Sequence, residues 1–170
     1  MEETFRAAGH ADIETLVPMM RGLYEHDQGF FDEPRARRAL AALLDQPGWG
    51  RVFVVQADGR PVGYLVLTFG YSLEYRGRDA LVDELYLEPS ARGQGLGTAA
   101  LRFAEEVCRA EGIGALHLEV ERANTRAQAV YRQFGFHHHD RFLMTKWVDE
   151  ATEDRTEDGG VSREFTNGYE

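Results

Sequence analysis

One cysteine and five prolines are all that 170 residues hold of those two types, and Lys146 is the single lysine. A lone Cys108 closes no internal disulfide, and the chain reads as cytosolic. It follows Val107 on a helical stretch with no histidine at helical spacing, which suits a small core residue better than a nucleophile. No apolar run approaches the roughly 20 residues that cross a bilayer, so no membrane partner is expected. The opening "MEETFRAAGHADIE" has neither a basic stretch nor an apolar core, so no secretory signal is expected. Positive charge is also short: the formal net charge is −10, which argues against nucleic acid as a partner.

What is there is an ordinary folded composition, 43% hydrophobic and 28% charged, with a length that suits one domain. The charge is concentrated at the end. From Asp149 onward eight acids and two arginines give −6 of the −10, around a Gly-Gly break and few apolar residues. The expected organisation is a domain over 1–148 and an acidic, flexible tail over 149–170. Val161, Phe165 and Tyr169 fall at i, i+4 and i+8 in that tail and could order part of it.

Apolar residues at Ile13, Leu16, Val17, Met20 and Tyr24 predict a helix from Asp12, as its N-cap, to about His26. A second helix is expected over Glu33–Leu44 with Pro34 in its first turn. Strands are expected over 51–57, 61–71 and 80–88, the first two joined by the tight turn "DGR". A helix to about Glu111 follows, striped by Leu96, Ala100, Phe103 and Val107. Then come a strand over 115–120, a helix over 124–134 ended by Gly135, and a last strand over 141–148, "RFLMTKWV". A short strand is expected ahead of the first helix. Hairpin-linked strands followed by βαβ alternation imply a mixed α/β sheet.

Between the strand "VDELYLE" and the alanine-rich helix lies "SARGQGLGTAAL", with Gly93, Gly95 and Gly97 after Arg92. Such a stretch lets the main chain approach a phosphate at a helix start. A dinucleotide fold needs G-x-G-x-x-G early in the chain, and here position 98 is Thr and the loop is central. A P-loop needs a lysine in the loop, and there is none.

The run Arg92-Gly93-Gln94-Gly95-Leu96-Gly97 resembles the R/Q-x-x-G-x-G/A pyrophosphate loop of the GNAT family of N-acetyltransferases. "NTRAQAVYRQFGF" resembles the family's second signature, N-x-x-A-x-x-x-Y-x-x-x-G-F, and the likeness extends over most of residues 1–148. The resemblance implies a mixed, mostly antiparallel central sheet flanked by helices on both faces. It also implies an enzyme that uses acetyl-CoA as co-substrate and needs no metal. Loop amides from Arg92 to Gly97, with Thr98, would face the pyrophosphate; Arg92 either pairs with a phosphate or braces the loop. The strand at Leu85, Tyr86 and Leu87 would splay from its neighbour to receive the pantetheine arm, with Leu85 and Leu87 amides as an oxyanion hole. Asn124 would cap its helix and lie near the pantetheine arm, and Tyr131 would protonate the leaving sulfur.

Amine attack on a thioester also needs a base. Asp83 and Glu84 are adjacent carboxylates in an apolar strand, where burial raises a carboxyl toward a useful range. Strict alternation puts Asp83 with Leu81 and Leu85, and Glu84 with Val82 and Tyr86. Either acid could instead pair with an arginine. The "HHHD" run at 137–140 suits a polar turn, since consecutive extended residues cannot all bind one ion. By resemblance Tyr24, Glu25, His26, Phe30 and Phe31 would form the acceptor wall. The expected acceptor is a primary amine of a small cationic molecule; a protein N-terminus or lysine, a longer acyl donor and an idle acyl-CoA sensor are alternatives. Homodimers are common among proteins of this kind.

Overall fold

The structure, a computed structural model, describes residues 2–26, 29–146 and 148. The acidic segment from 149 onward, with its three apolar residues, lies outside them. The chain divides into two compact units, residues 1–119 and residues 120–170.

The first unit opens with β1 (Glu3–Ala7), followed by α1 (Ile13–His26) and α2 (Glu33–Asp45). Next come β2 (Gly50–Ala57), β3 (Arg60–Ser72), β4 (Gly77–Leu87), α3 (Leu96–Ala110) and β5 (Ala115–Leu118). The sheet runs β1-β2-β3-β4-β5, antiparallel until the parallel β4–β5 pair. Asp58 and Gly59 at φ 49° and 76° turn the β2–β3 hairpin, as two left-handed residues in an Asp-Gly turn do.

Helices cover both faces. On one, Leu16, Val17 and Met19 of α1 and Leu40 of α2 pack on Val52, Val54, Tyr64, Val66 and Tyr86. On the other, Ala104 of α3, with Phe103 and Val107, packs on Phe53, Leu65 and Leu67. That two-sided covering explains why β2 and β3 read as continuous apolar runs rather than as alternation. Cys108 is buried beside Ala80 and Ile113, and burial pushes its thiol up.

Asp12 is not the cap that the sequence suggests. It ends a 3-10 turn (His10–Asp12), accepts the Gly9 amide at 2.8 Å and pairs with Arg6 at 2.7 Å. Asp32 does cap α2, accepting the Arg35 amide at 2.9 Å. The stripe of α3 is also wider than expected, because Leu101, Ala104 and Cys108 are buried with Leu96 and Ala100.

In the second unit α4 (Thr125–Gln133) is capped by the Asn124 side chain, which accepts the Ala127 amide at 3.0 Å. Gly135, at φ 90°, takes the left-handed conformation that ends it. The expected strand over 141–148 is not formed: residues 141–146 and 148 lie outside any strand, and Phe142, Leu143, Met144 and Val148 are exposed. Strand propensity describes a residue's fit to a sheet, and by itself it yields no strand.

Candidate active site

Four features in and just after the second half of β4 make up the candidate site. The first is the edge of β4 itself. Its ladder with β5 spans only Asp79↔Ala115 to Val82↔Leu118, so the part beyond Val82 has no strand on that side among the described residues. The Glu88 amide donates to the Val62 carbonyl at 2.8 Å, on the β3 side. Backbone groups alternate along a strand, so the Leu87 and Leu85 amides point to the open edge. Tyr86 turns its backbone to β3 and its ring into the core, where it is 8% exposed. A β-carbon on Gly22 of α1 would lie 2.6 Å from the Tyr86 hydroxyl, so glycine makes that seat possible.

The second feature is the glycine loop. Gly93 and Gly95 have φ 75° and 88°, and nothing lies within 4 Å of a β-carbon at either position. Gly95 begins α3 with no side-chain cap, which leaves the first amides of Leu96, Gly97 and Thr98 directed outward with about half a positive charge from the helix. The Leu96 side chain is buried, so that residue offers its main chain alone. A diphosphate fits such an uncapped, uncrowded start.

Arg92 forms the third. Its Nε donates to the Leu87 carbonyl at 2.9 Å, and its guanidinium lies 5.6 Å over the Tyr86 ring. It braces the loop to the open edge of β4. Gln94 adds a bond from Nε2 to the Ser90 carbonyl at 2.8 Å.

The fourth is a β-bulge. Val66 pairs with Glu84 and Leu67 with Val82, so Asp83 has no partner on β3. The extra residue slips the alternation: Val82 and Leu85 both pack on the α3 side. The expected grouping of Glu84 with Val82 and of Asp83 with Leu85 is therefore corrected, because a bulge changes phase where an unbroken strand would not. The two acids then diverge. Glu84 accepts a hydrogen bond from the buried Tyr64 hydroxyl at 2.9 Å. Asp83 reaches solvent and has no ion pair or hydrogen bond among the described residues, yet surrounding protein displaces enough water to raise its carboxyl above the usual range. Tyr64 gave no functional signal in sequence beyond being a tyrosine inside an apolar run.

Towards α2, Tyr24 meets Phe31 edge-on at 5.4 Å and Arg21 lies 5.1 Å over Phe31, while Phe30 is 82% exposed. In the second unit Tyr131 is half-buried, contacts Phe136 at 6.0 Å, and has its phenol pushed up by desolvation. The histidines at 137–139 are exposed. Among the described residues no three His, Cys, Asp or Glu side chains gather as metal ligands would.

A family description, "Acetyltransferase (GNAT) family", matches residues 18–136. The chain belongs to the GNAT family. It is an acetyl-CoA-dependent N-acetyltransferase. It is 28% identical over 145 residues to thialysine N-epsilon-acetyltransferase of Bos taurus, covering 76% of this chain and 81% of that one. A Bacillus subtilis protein provisionally named a ribosomal-protein-alanine N-acetyltransferase is 28% identical over 113 residues, 66% of this chain and 71% of that one. Among solved structures, an integron cassette protein from the Cole Harbour Salt Marsh metagenome superposes with a TM-score of 0.75 at 34% identity. That match covers 85% of this chain and 90% of the other. The two named relatives differ in acceptor, so the family membership carries acetyl transfer and not the identity of the amine.

Proposed function

We propose that this GNAT enzyme acetylates the primary amine of a small cationic molecule by direct attack within a ternary complex. The observation that carries this reading is Asp83, a carboxylate with no partner among the described residues, its carboxyl raised by the protein around it, on a bulge at the start of the open edge of β4. Acetyl-CoA supplies an activated acyl carbon and a thiolate leaving group. The amides of Gly93, Gly95, Leu96, Gly97 and Thr98 hold its diphosphate, with Arg92 and Gln94 keeping the loop in shape. The Leu85 and Leu87 amides receive the pantetheine arm and the thioester oxygen, where charge develops.

Asp83 takes a proton from the incoming ammonium, directly or through one water, freeing the lone pair that forms the new C–N bond. As the C–S bond breaks, Tyr131, whose raised phenol holds its proton until then, gives that proton to the sulfur, and the tetrahedral nitrogen loses its second proton through water to restore the phenol. A positioned acid or base contributes about 10²–10⁴ in rate. Asn124 is committed by its side-chain oxygen to the α4 cap and keeps its amide nitrogen for the pantetheine arm. Glu84, bound to Tyr64, holds the strand in place rather than moving protons.

The test is thiol release from acetyl-CoA across a panel of alkylamines, diamines, aminoglycosides and an alanine-ended peptide. Faster release with small cationic amines than with the peptide is expected, and the reverse order would refute the acceptor class. Tyr131→Phe should lower turnover about 10²-fold or more with acetyl-CoA affinity intact. Unchanged turnover in that variant would remove Tyr131 from the mechanism.

A further inference from the structure

The helix α1 runs against the direction of β4 across the sheet. Glu14 and Thr15 border the same cavity of about 350 Å³ as Glu88, and a β-carbon on Gly22 would touch the Tyr86 hydroxyl. Tyr24 then comes near Tyr64: burial above all raises the Tyr64 phenol, and Glu84 and then Tyr24 add to it. Tyr64 in turn donates to Glu84, so the last turn of α1 lies over the bulge. Val82 and Leu85 both pack on the α3 side, and alternation on either side of the bulge turns Asp83 and Glu84 to the α1 side. The aromatic residues at the end of α1 and just after it therefore stand beside Asp83.

Those rings are tied down by charge as well as by packing. The Gly29 amide donates to the Tyr24 carbonyl at 2.7 Å, and Asp32 caps α2, which anchors the segment carrying Phe31 at both ends. The half-buried Phe31 ring rests on the core that holds Tyr64 and Tyr86, and Tyr24 meets it edge-on. The Arg21 guanidinium covers that ring, 5.1 Å from its centre, and also binds Glu33 Oε2. Arg37 Nε donates to Glu33 Oε1 at 2.8 Å, and its other two nitrogens hold both Glu14 oxygens at 2.6 and 3.1 Å. A chain of contacts thus runs from Phe31 through Arg21, Glu33 and Arg37 to Glu14, leaving α1, crossing to α2 and returning. Isolated surface ion pairs contribute little, but a bidentate pair within a network is the exception. A planar guanidinium can stack on a ring while its edge binds a carboxylate, and no other cationic side chain does both.

We infer that Arg21 is a positioning residue for the acceptor: it clamps the Phe31 ring against Tyr24 and so fixes an aromatic wall beside Asp83 before the amine arrives. This rests on the acetylation reading given above, and it gives Arg21 no part in proton transfer or in acetyl-CoA binding. A wall ordered in advance spares the amine the cost of ordering it, so the effect falls on acceptor KM.

The experiment measures acceptor KM, kcat and acetyl-CoA affinity for the parent, Arg21→Met and Arg21→Lys, with n-butylamine and 1,4-diaminobutane as acceptors. Acceptor KM should rise about fivefold in Arg21→Met, an exposed cation–π contact expressed as affinity, with kcat and acetyl-CoA affinity within about twofold of the parent. Arg21→Lys keeps the charge without the stacking plane and should recover part of the loss. Phe31→Leu should raise KM by a similar factor, and adding Arg21→Met to it should change little, because the arginine acts through the ring. In the parent, magnetic resonance contacts between the Phe31 and Tyr24 rings should be present before any amine is added, a readout that needs no variant to fold. A parental KM in Arg21→Met, a matching fall in kcat or acetyl-CoA affinity, full additivity of the two substitutions, or ring contacts that form only with the amine would each overturn the positioning role. Any of these would leave amine acetylation standing. No thiol release from the parent with either amine would instead overturn the acetylation reading and the positioning role with it.

Discussion

Tyr64 and Glu84 provide the sharpest quantitative check on how the two neighbouring acids divide their work. Tyr64 is 1% exposed and its hydroxyl donates to Glu84 Oε2 at 2.9 Å, while its ring packs between the strands and α1. Replacing it with Phe keeps the ring and deletes one hydroxyl, so the apolar contacts survive and the loss isolates one hydrogen bond to a charged acceptor. Such bonds contribute about 1.5–3 kcal/mol. With a urea slope of about 1–3 kcal/mol per molar, the unfolding midpoint should fall by about 1 M.

Glu84→Gln retains an oxygen that can accept from Tyr64, so it should cost about 1 kcal/mol, the difference between a charged and a neutral acceptor. The double variant should then cost less than the sum of the singles by about 1 kcal/mol, because the acceptor's charge strengthens no bond once the hydroxyl is gone. Urea unfolding of the four proteins measures the cycle, and acetyl transfer is recorded on each. A Tyr64→Phe cost below about 0.5 kcal/mol, or a cycle that closes additively, would refute the bond as a structural tie. Turnover that falls more in Glu84→Gln than in Asp83→Asn would reverse the roles given to the two acids.

Three further outcomes follow from the same geometry. Asp83→Asn should lower turnover about 10²-fold or more and remove the acidic limb of the pH–rate profile. Desolvation holds its folded carboxyl above the ordinary 3.8, so the native state binds the extra proton and loses stability as pH rises through that window. The Asn variant should therefore be more stable than the parent at neutral pH, with the gap closing below 3.8 in urea titrations; a variant less stable at pH 7 would contradict this. Gly95→Ala places a side chain at φ 88°, which costs about 1–2 kcal/mol in a non-glycine residue, and crowds the helix start. Calorimetry should show acetyl-CoA affinity lower by about tenfold or more, and unchanged affinity would argue against the loop as the diphosphate seat. Cys108, buried with its thiol pushed up, should react with a disulfide reagent only as the protein unfolds, and fast labelling of the native state would contradict its burial.

The elements that were legible in sequence were those whose cause is local. Asp-Gly turned the β2–β3 hairpin, Asn124 capped α4 and Gly135 ended it, because each of these depends on a few consecutive residues. The glycine loop was equally readable, since its conformation follows from missing β-carbons. Family membership was readable too, from two spaced signatures. The strand expected at 141–148 failed for the opposite reason: a ladder needs a partner that no local pattern supplies.

The sequence by itself determined that α3 would start from a glycine-rich, uncapped turn next to an acid-bearing strand. Only the tertiary structure decided what the acids are. Alternation is a rule for an unbroken strand, and the register between β3 and β4 breaks at Asp83, a fact set by how two strands fit together. That break leaves one carboxylate without a partner among the described residues, while the next is bound by a tyrosine twenty residues earlier.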